Sequence, residues 1–208
     1  MKTVLTKDDI DYAADVINSG GLVAVPTETV YGLSASAFDE RAVARIYEVK
    51  NRPESKPINL LVTGMSDVLT VCDDVPEIAF RLADSFWPGP LTMILKKKNI
   101  VPDIVSAGGS TVGVRAPRCD LTLKLIEKCG VPLATPSANL SGMESAKNVN
   151  EVLSYFDGKI ECVLDGGECE LGVASTIVDL TGETPTILRY GGITAEDIKN
   201  AAEIEVVL

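Results

Sequence analysis

Short apolar runs of strand length recur along the chain, interleaved with stretches of helical periodicity, and this alternation limits the folds available to it. GLVAV at 21–25 and INLLV at 58–62 read as buried strands, and further strands are expected at 91–96, 111–115, 131–135, 161–165, 174–180 and 185–190. Between them, Ile10, Ala13, Ala14 and Ile17 share a helical face that Thr6 would cap and Gly20 would stop. Asp39 would cap a second helix carrying Val43, Ile46 and Tyr47 on one face, and a short turn of helix is expected near Ser66. Ile78, Ala79, Leu82, Ala83 and Phe86 mark another helix, ending at Trp87-Pro88-Gly89-Pro90. More helices are expected at 120–129, 148–156 and 194–202. Strands and helices without strict alternation imply an α/β fold with a mixed sheet, and the absence of a composition break implies a single domain over 1–208.

Composition narrows the function classes. The 208 residues carry a net charge of −11, which works against indiscriminate nucleic-acid binding by the whole surface but leaves room for a local basic cleft. No apolar run approaches the roughly 20 residues of a bilayer-spanning helix, and the N-terminus lacks the apolar core of a signal peptide. The expected location is the cytoplasm, where reduced thiols fit the five cysteines. Cys162 and Cys169 are either two buried thiols, the favoured reading, or a metal or redox couple. The chain has no histidine, so a Ser-His-Asp triad, a Cys-His dyad and histidine-ligated zinc are all excluded.

Polar residues crowd the places where strands should end. PTETVYGL (26–33) sets Thr27, Glu28 and Thr29 between two segments that both want burial, as an exit loop or as a pocket wall. KNRPESKP (50–57) brings Lys50, Arg52 and Lys56 together, either as a phosphate site or as a solvated basic turn. In SAGGSTVGVRAPR (106–118), Arg115 lies within a strand and needs an anion, from a ligand or from a protein carboxylate. ATPSANLSG (134–142) places Thr135, Ser137, Asn139 and Ser141 at alternate positions, aimed to one side if the segment is extended. SFWPGPLT (85–92) reads as a helix stop with an aromatic anchor, while Ser175 opens a strand and Arg189 ends the next. Neither a G-x-x-x-x-G-K-[ST] loop nor G-x-G-x-x-G is present. The pattern favours a site that holds an anionic ligand at several points over one built around a general base.

PTETVYGL, the K-x-R of KNRP, SFWPGPLT, VGVRAP, PSANLSG and STIVDL…LRYGGIT occur in the order and spacing of the YrdC-like family, which the chain resembles from about residue 10 to residue 200. The resemblance implies a twisted mixed sheet with flanking helices and a broad, concave, positively charged cleft. It implies a nucleotidyltransferase reaction in which L-threonine, bicarbonate or carbon dioxide, and ATP give threonylcarbamoyl-adenylate and pyrophosphate. That product would pass to threonylcarbamoyl-transfer proteins that modify tRNA. By matching position, Thr29, Arg115, Thr135 and Ser175 would contact threonine. Lys50, Arg52, Lys56, Thr111, Ser137, Asn139, Ser145 and Arg189 would contact ATP, with Lys50, Arg52, Ser137 and Asn139 as the catalytic tetrad. Mg²⁺ would be carried by the ATP phosphates, with no protein ligand identified. Two departures stand out: Leu61 replaces a histidine found near the amino acid in many members, and the second, C-terminal domain of longer members is not expected here. Glu28 is left between magnesium, a cationic neighbour and a structural hydrogen bond. A non-catalytic RNA-binding module, or a paralogue with another small-molecule reaction, are the alternatives.

Overall fold

A computed structural model describes residues 2–202. Ten strands among the described residues form one sheet. They are β1 (Val4–Thr6), β2 (Val23–Val25), β3 (Gly32–Ser36), β4 (Leu60–Leu61), β5 (Leu91–Lys96), β6 (Thr111–Arg115), β7 (Leu133–Ala134), β8 (Cys162–Leu164), β9 (Thr176–Asp179) and β10 (Thr186–Arg189). The helices are α1 (Ile10–Asn18), α2 (Glu40–Lys50), α3 (Met65–Val71), α4 (Glu77–Phe86), α5 (Asp103–Ser106), α6 (Asp120–Cys129), α7 (Val149–Phe156) and α8 (Ala195–Ala202). The strand order is β1-β8-β2-β3-β7-β4-β6-β5-β9-β10. Parallel pairs (β1/β8, β2/β8, β4/β6, β5/β9) mix with antiparallel ones (β2/β3, β3/β7, β4/β7, β5/β6, β9/β10), which is the mixed α/β architecture expected.

Both faces of the central strands are buried, which explains why they read as continuous apolar runs. Val23 and Val25, Leu61, Leu133, Cys162 and Leu164 share one apolar cluster with Ala13, Ala14 and Ile17 of α1 and Leu125, Ile126 and Cys129 of α6. Their strand neighbours Ala24, Leu60, Ala134 and Val163 belong to the larger cluster on the other side, with α2, α4 and α7. Period-two alternation therefore divides each strand between two cores.

The helix starting at Ile10 is capped by Asp9, whose carboxylate accepts from Tyr12 N–H; Thr6 instead ends β1 and accepts from the Asp9 amide. This corrects the Thr6 cap. Asp39 does cap α2, accepting from the amides of Arg41 and Ala42. The strands β1 and β3 and the short helix α5 were not expected. β3 escaped because Gly32, Ser34 and Ser36 break its apolar character, although its small side chains are what a strand buried on both faces beside β7 accommodates.

Candidate functional site

The turn after β2 is built by one hydroxyl. Thr27 Oγ1 accepts from the amides of Thr29 (3.1 Å) and Val30 (3.2 Å) and donates to the Val30 carbonyl (2.6 Å). Its polar neighbours are consequently held inward, and Thr27, Glu28 and Thr29 are all buried. The segment is a pocket wall rather than an exit loop.

Arg115 reaches this wall from the end of β6. Its Nη2 donates to Glu28 Oε2 at 2.6 Å, Nη1 to Thr29 Oγ1 at 2.8 Å, and Nε to the Gly89 carbonyl at 3.1 Å. Glu28 is 4% and Arg115 7% exposed. Burial draws the Arg115 pKa down while Glu28 opposes that, and a guanidinium at this site stays charged. Glu28 is thus the carboxylate that answers Arg115, and its other oxygen, Oε1, is buried without a partner among the described residues. A guanidinium has five N–H donors; three are used, leaving one on each terminal nitrogen, and Arg115 lines the adjoining cleft.

That cleft holds about 770 Å³ of space, including its open mouth. Thr29, Arg52, Arg115, Thr135, Ser137, Ser145, Ser175 and Arg189 all line it, as the motifs led us to expect. Three of these are arginines, and no carboxylate is among the lining residues. Arg52 donates to the carbonyls of Lys56 and Pro57, and Arg189 to the carbonyl and hydroxyl of Ser175; neither has a carboxylate partner among the described residues. Desolvation lowers the pKa of both, and Arg115 adds its repulsion at Arg189.

Four expected residues sit elsewhere. Lys50, 1% exposed, does not reach the cleft surface: its Nζ donates to the carbonyls of Ser137 and Asn139, and its own carbonyl accepts from Ser141 N–H. Burial, with Arg52 adding repulsion, lowers its pKa to about 7. Asn139 faces inward as well, donating to the carbonyls of Leu140 and Met143 and accepting from Ser137 Oγ at 2.5 Å. Strand β7 ends at Ala134, so the alternation read into 135–141 does not continue: Thr135 and Ser137 reach the cleft, whereas Asn139 and Ser141 do not. Lys56 is exposed beyond the lining, and Thr111 lies at the far end of β6, roughly 13 Å along the strand from Arg115.

Other lining residues had escaped notice. Thr92, read only as part of a helix stop, shares a hydrogen bond of 2.8 Å with Ser175 in the cleft. Asn59 lines it too, and its carbonyl accepts from Thr135 N–H. Leu61, noted above as standing where many members of the resembled family carry a histidine, contributes an apolar lining. Gly32 is needed for close approach: a Cβ there would stand 2.3 Å from the Thr135 methyl. Cys162 is buried and Cys169 half-buried; burial pushes both thiols up to about 11, the behaviour of inert thiols.

Residues 15–191 match the family model Sua5_yciO_yrdC, described as telomere recombination. The chain belongs to the Sua5/YciO/YrdC family. It is 47% identical over 190 residues to the threonylcarbamoyl-AMP synthase of Pyrococcus abyssi, an alignment covering 91% of this chain and 56% of that protein. It is 34% identical over 192 residues to the putative threonylcarbamoyl-AMP synthase of Methanocaldococcus jannaschii, covering 92% of this chain and 90% of that one. The crystal structure of P. abyssi Sua5 complexed with L-threonine superposes with a TM-score of 0.95 at 44% identity, covering 98% of this chain and 62% of that one. The chain spans about half the length of the first curated relatives it matches. No helix among the described residues is long and apolar enough to cross a membrane.

Proposed function

We propose that the chain is an ATP-dependent nucleotidyltransferase that makes threonylcarbamoyl-adenylate from L-threonine, bicarbonate or carbon dioxide, and ATP, releasing pyrophosphate. The observation that carries this reading is the lining of the cleft. Arg52, Arg115 and Arg189 converge there with hydroxyls and without a carboxylate, in a chain of net charge −11. Cations concentrated against the overall charge make a cleft for an anion. The names of the relatives supply the chemistry that such a cleft would serve.

Arg115, held by Glu28, presents its two remaining N–H donors to the threonine carboxylate, with Thr29, Thr135 and Ser175 around the rest of the amino acid. Arg52, Arg189, Ser137 and Ser145 form the nucleotide side, extended by Lys56 and Thr111 outside the lining. Lys50 and Asn139 act from beneath by fixing the backbone and hydroxyl of Ser137. The threonine nitrogen adds to carbon dioxide and loses a proton, giving a carbamate. A carbamate oxygen then bonds to the α-phosphorus as the bond to pyrophosphate breaks. Orientation and fixed cations do this work, with no histidine required. Among the described residues, no cluster of three or more His, Cys, Asp or Glu could hold a metal; we assign Mg²⁺ to the ATP phosphates, where it would neutralise charge. The reading takes 1–208 as one domain, acting in the cytoplasm and passing its product to transfer proteins that act on tRNA.

Incubation with L-threonine, bicarbonate and MgATP tests the proposal. Threonine-dependent pyrophosphate release is expected; release that ignores threonine, or none, overturns it.

A further inference from the structure

Of the polar side chains that line the cleft, all but one are hydrogen-bonded within the protein. The exception is Asn59, whose side-chain amide has no hydrogen-bond partner among the described residues. The residue is held in place all the same. Its Oδ1 lies against Gly113 of β6, where a Cβ would stand 2.2 Å away, and its main-chain oxygen accepts from Thr135 N–H at 2.8 Å. The two protons on Nδ2 are unused. Pro57, Asn59 and Leu61 line the cleft while Ile58 and Leu60 between them turn into the core, so the run is extended. Arg52 donates to the Pro57 carbonyl at 2.8 Å, and Leu61 pairs in register with Arg115. Asn59 therefore stands midway, roughly 7 Å along the run from each, between the arginine assigned to phosphate and the one assigned to the amino-acid carboxylate.

We propose that Asn59 is a catalytic residue for the carbon dioxide step, its Nδ2 donating to an oxygen of the carbon dioxide as the amino group adds to it. The inference rests on the synthase reading and gives one of its steps to a residue. The carbamate joins the amino acid to the α-phosphorus, so it must form between the groups that hold the carboxylate and the phosphates. In the addition, the nitrogen lone pair forms the N–C bond, one C–O π pair moves onto oxygen, and a nitrogen proton leaves to water. Negative charge thus develops on an oxygen of a reactant that began neutral, and a fixed donor there favours the transition state over the ground state. A neutral donor suits the next step as well. The carbamate must attack the α-phosphorus through oxygen, and an arginine at this position would hold that oxygen in a strong ion pair and blunt the attack.

The test follows pyrophosphate release against bicarbonate concentration, at saturating L-threonine and MgATP, in the wild type, Asn59→Ala and Asn59→Asp. Asn59→Ala is expected to lower kcat/KM for bicarbonate roughly a hundredfold, as for the loss of one oxyanion donor, with the dissociation constants of threonine and ATP by calorimetry within about twofold of wild type. Asn59→Asp keeps the shape and removes the donor, so it should lose at least as much, and it carries the test if Asn59→Ala fails to fold. The reverse reaction, ATP formation from threonylcarbamoyl-adenylate and pyrophosphate, makes or breaks no N–C bond and should run at the wild-type rate in Asn59→Ala. An unchanged dependence on bicarbonate in either folded variant overturns the proposal. An equal loss in the reverse reaction also overturns it, by placing the amide on the phosphoryl group, as does weakened threonine binding in Asn59→Ala, by making the residue an amino-acid contact. Wild-type turnover that ignores Asn59 sinks the inference and spares the synthase reading; a wild type without threonine-dependent release sinks both.

Discussion

Arg115 and Lys50 are both cations withdrawn from water, and the protein answers them differently. Arg115 has a carboxylate at 2.6 Å and keeps its charge, with two donors still available to the cleft. Lys50 has two backbone carbonyls and no ion-pair partner among the described residues, and its pKa falls to about 7. Two carbonyls match the two N–H groups of a neutral amine. The arginine keeps its donors for the cleft; the lysine spends its own on a loop. A charge that must act on a substrate from inside a protein needs a counter-charge behind it, whereas a charge used as a clamp can be given up.

Removing the counter-charge should have the largest effect. Glu28→Ala leaves Arg115 buried and unpaired and is expected to cost about 3–5 kcal/mol, read from the urea midpoint. A loss under about 1 kcal/mol would mean that water replaces the carboxylate and that the two cations are less different than they look. Next, Arg52→Ala or Arg189→Ala should lower pyrophosphate release roughly a hundredfold, as expected for removing one fixed donor from a transferring phosphate. The unfolding midpoint should hardly move, since neither forms an ion pair among the described residues. Lys50→Ala should instead lower both activity and stability, which separates clamp from contact.

A different kind of effect lies in the pH dependence. Above pH 7 the folded protein has released the Lys50 proton, while the unfolded chain holds it up to about 10.5. The unfolded state thus binds more protons in that window, and stability rises with pH across it, with a slope of up to about 1.4 kcal/mol per pH unit from this group. Lys50→Met should flatten the slope; a slope unchanged in the variant would show that Lys50 stays protonated in the fold.

The sequence made the elements more legible than the roles. β5, β6 and α6 lie where the patterns put them, because each is long enough for its periodicity to speak. Most of the cleft lining was also legible, because an apolar run that closes on hydroxyls or cations sets them at a strand end, where clefts open. Lys50 was not, because its acceptors lie 87 and 89 residues away and leave no local trace. Glu28 had three readings until the fold brought Arg115, also 87 residues away, to it as a cationic neighbour. Asn139 and Ser141 were misdirected by assuming an extended chain past Ala134, where the strand stops.

The sheet order also bears on how the cleft comes apart. Ser175 and Arg189 belong to the β9–β10 hairpin at one margin of the sheet, where a bulge interrupts the pairing between Ile187 and Arg189. Thr29 and Thr135 flank β3 and β7 in its interior. Margins exchange their amides sooner than interiors. Arg189, assigned to nucleotide, and Ser175, assigned to the amino acid, therefore stand on the wall of the cleft that opens most readily, and ligands held there would tie the margin of the sheet to its interior.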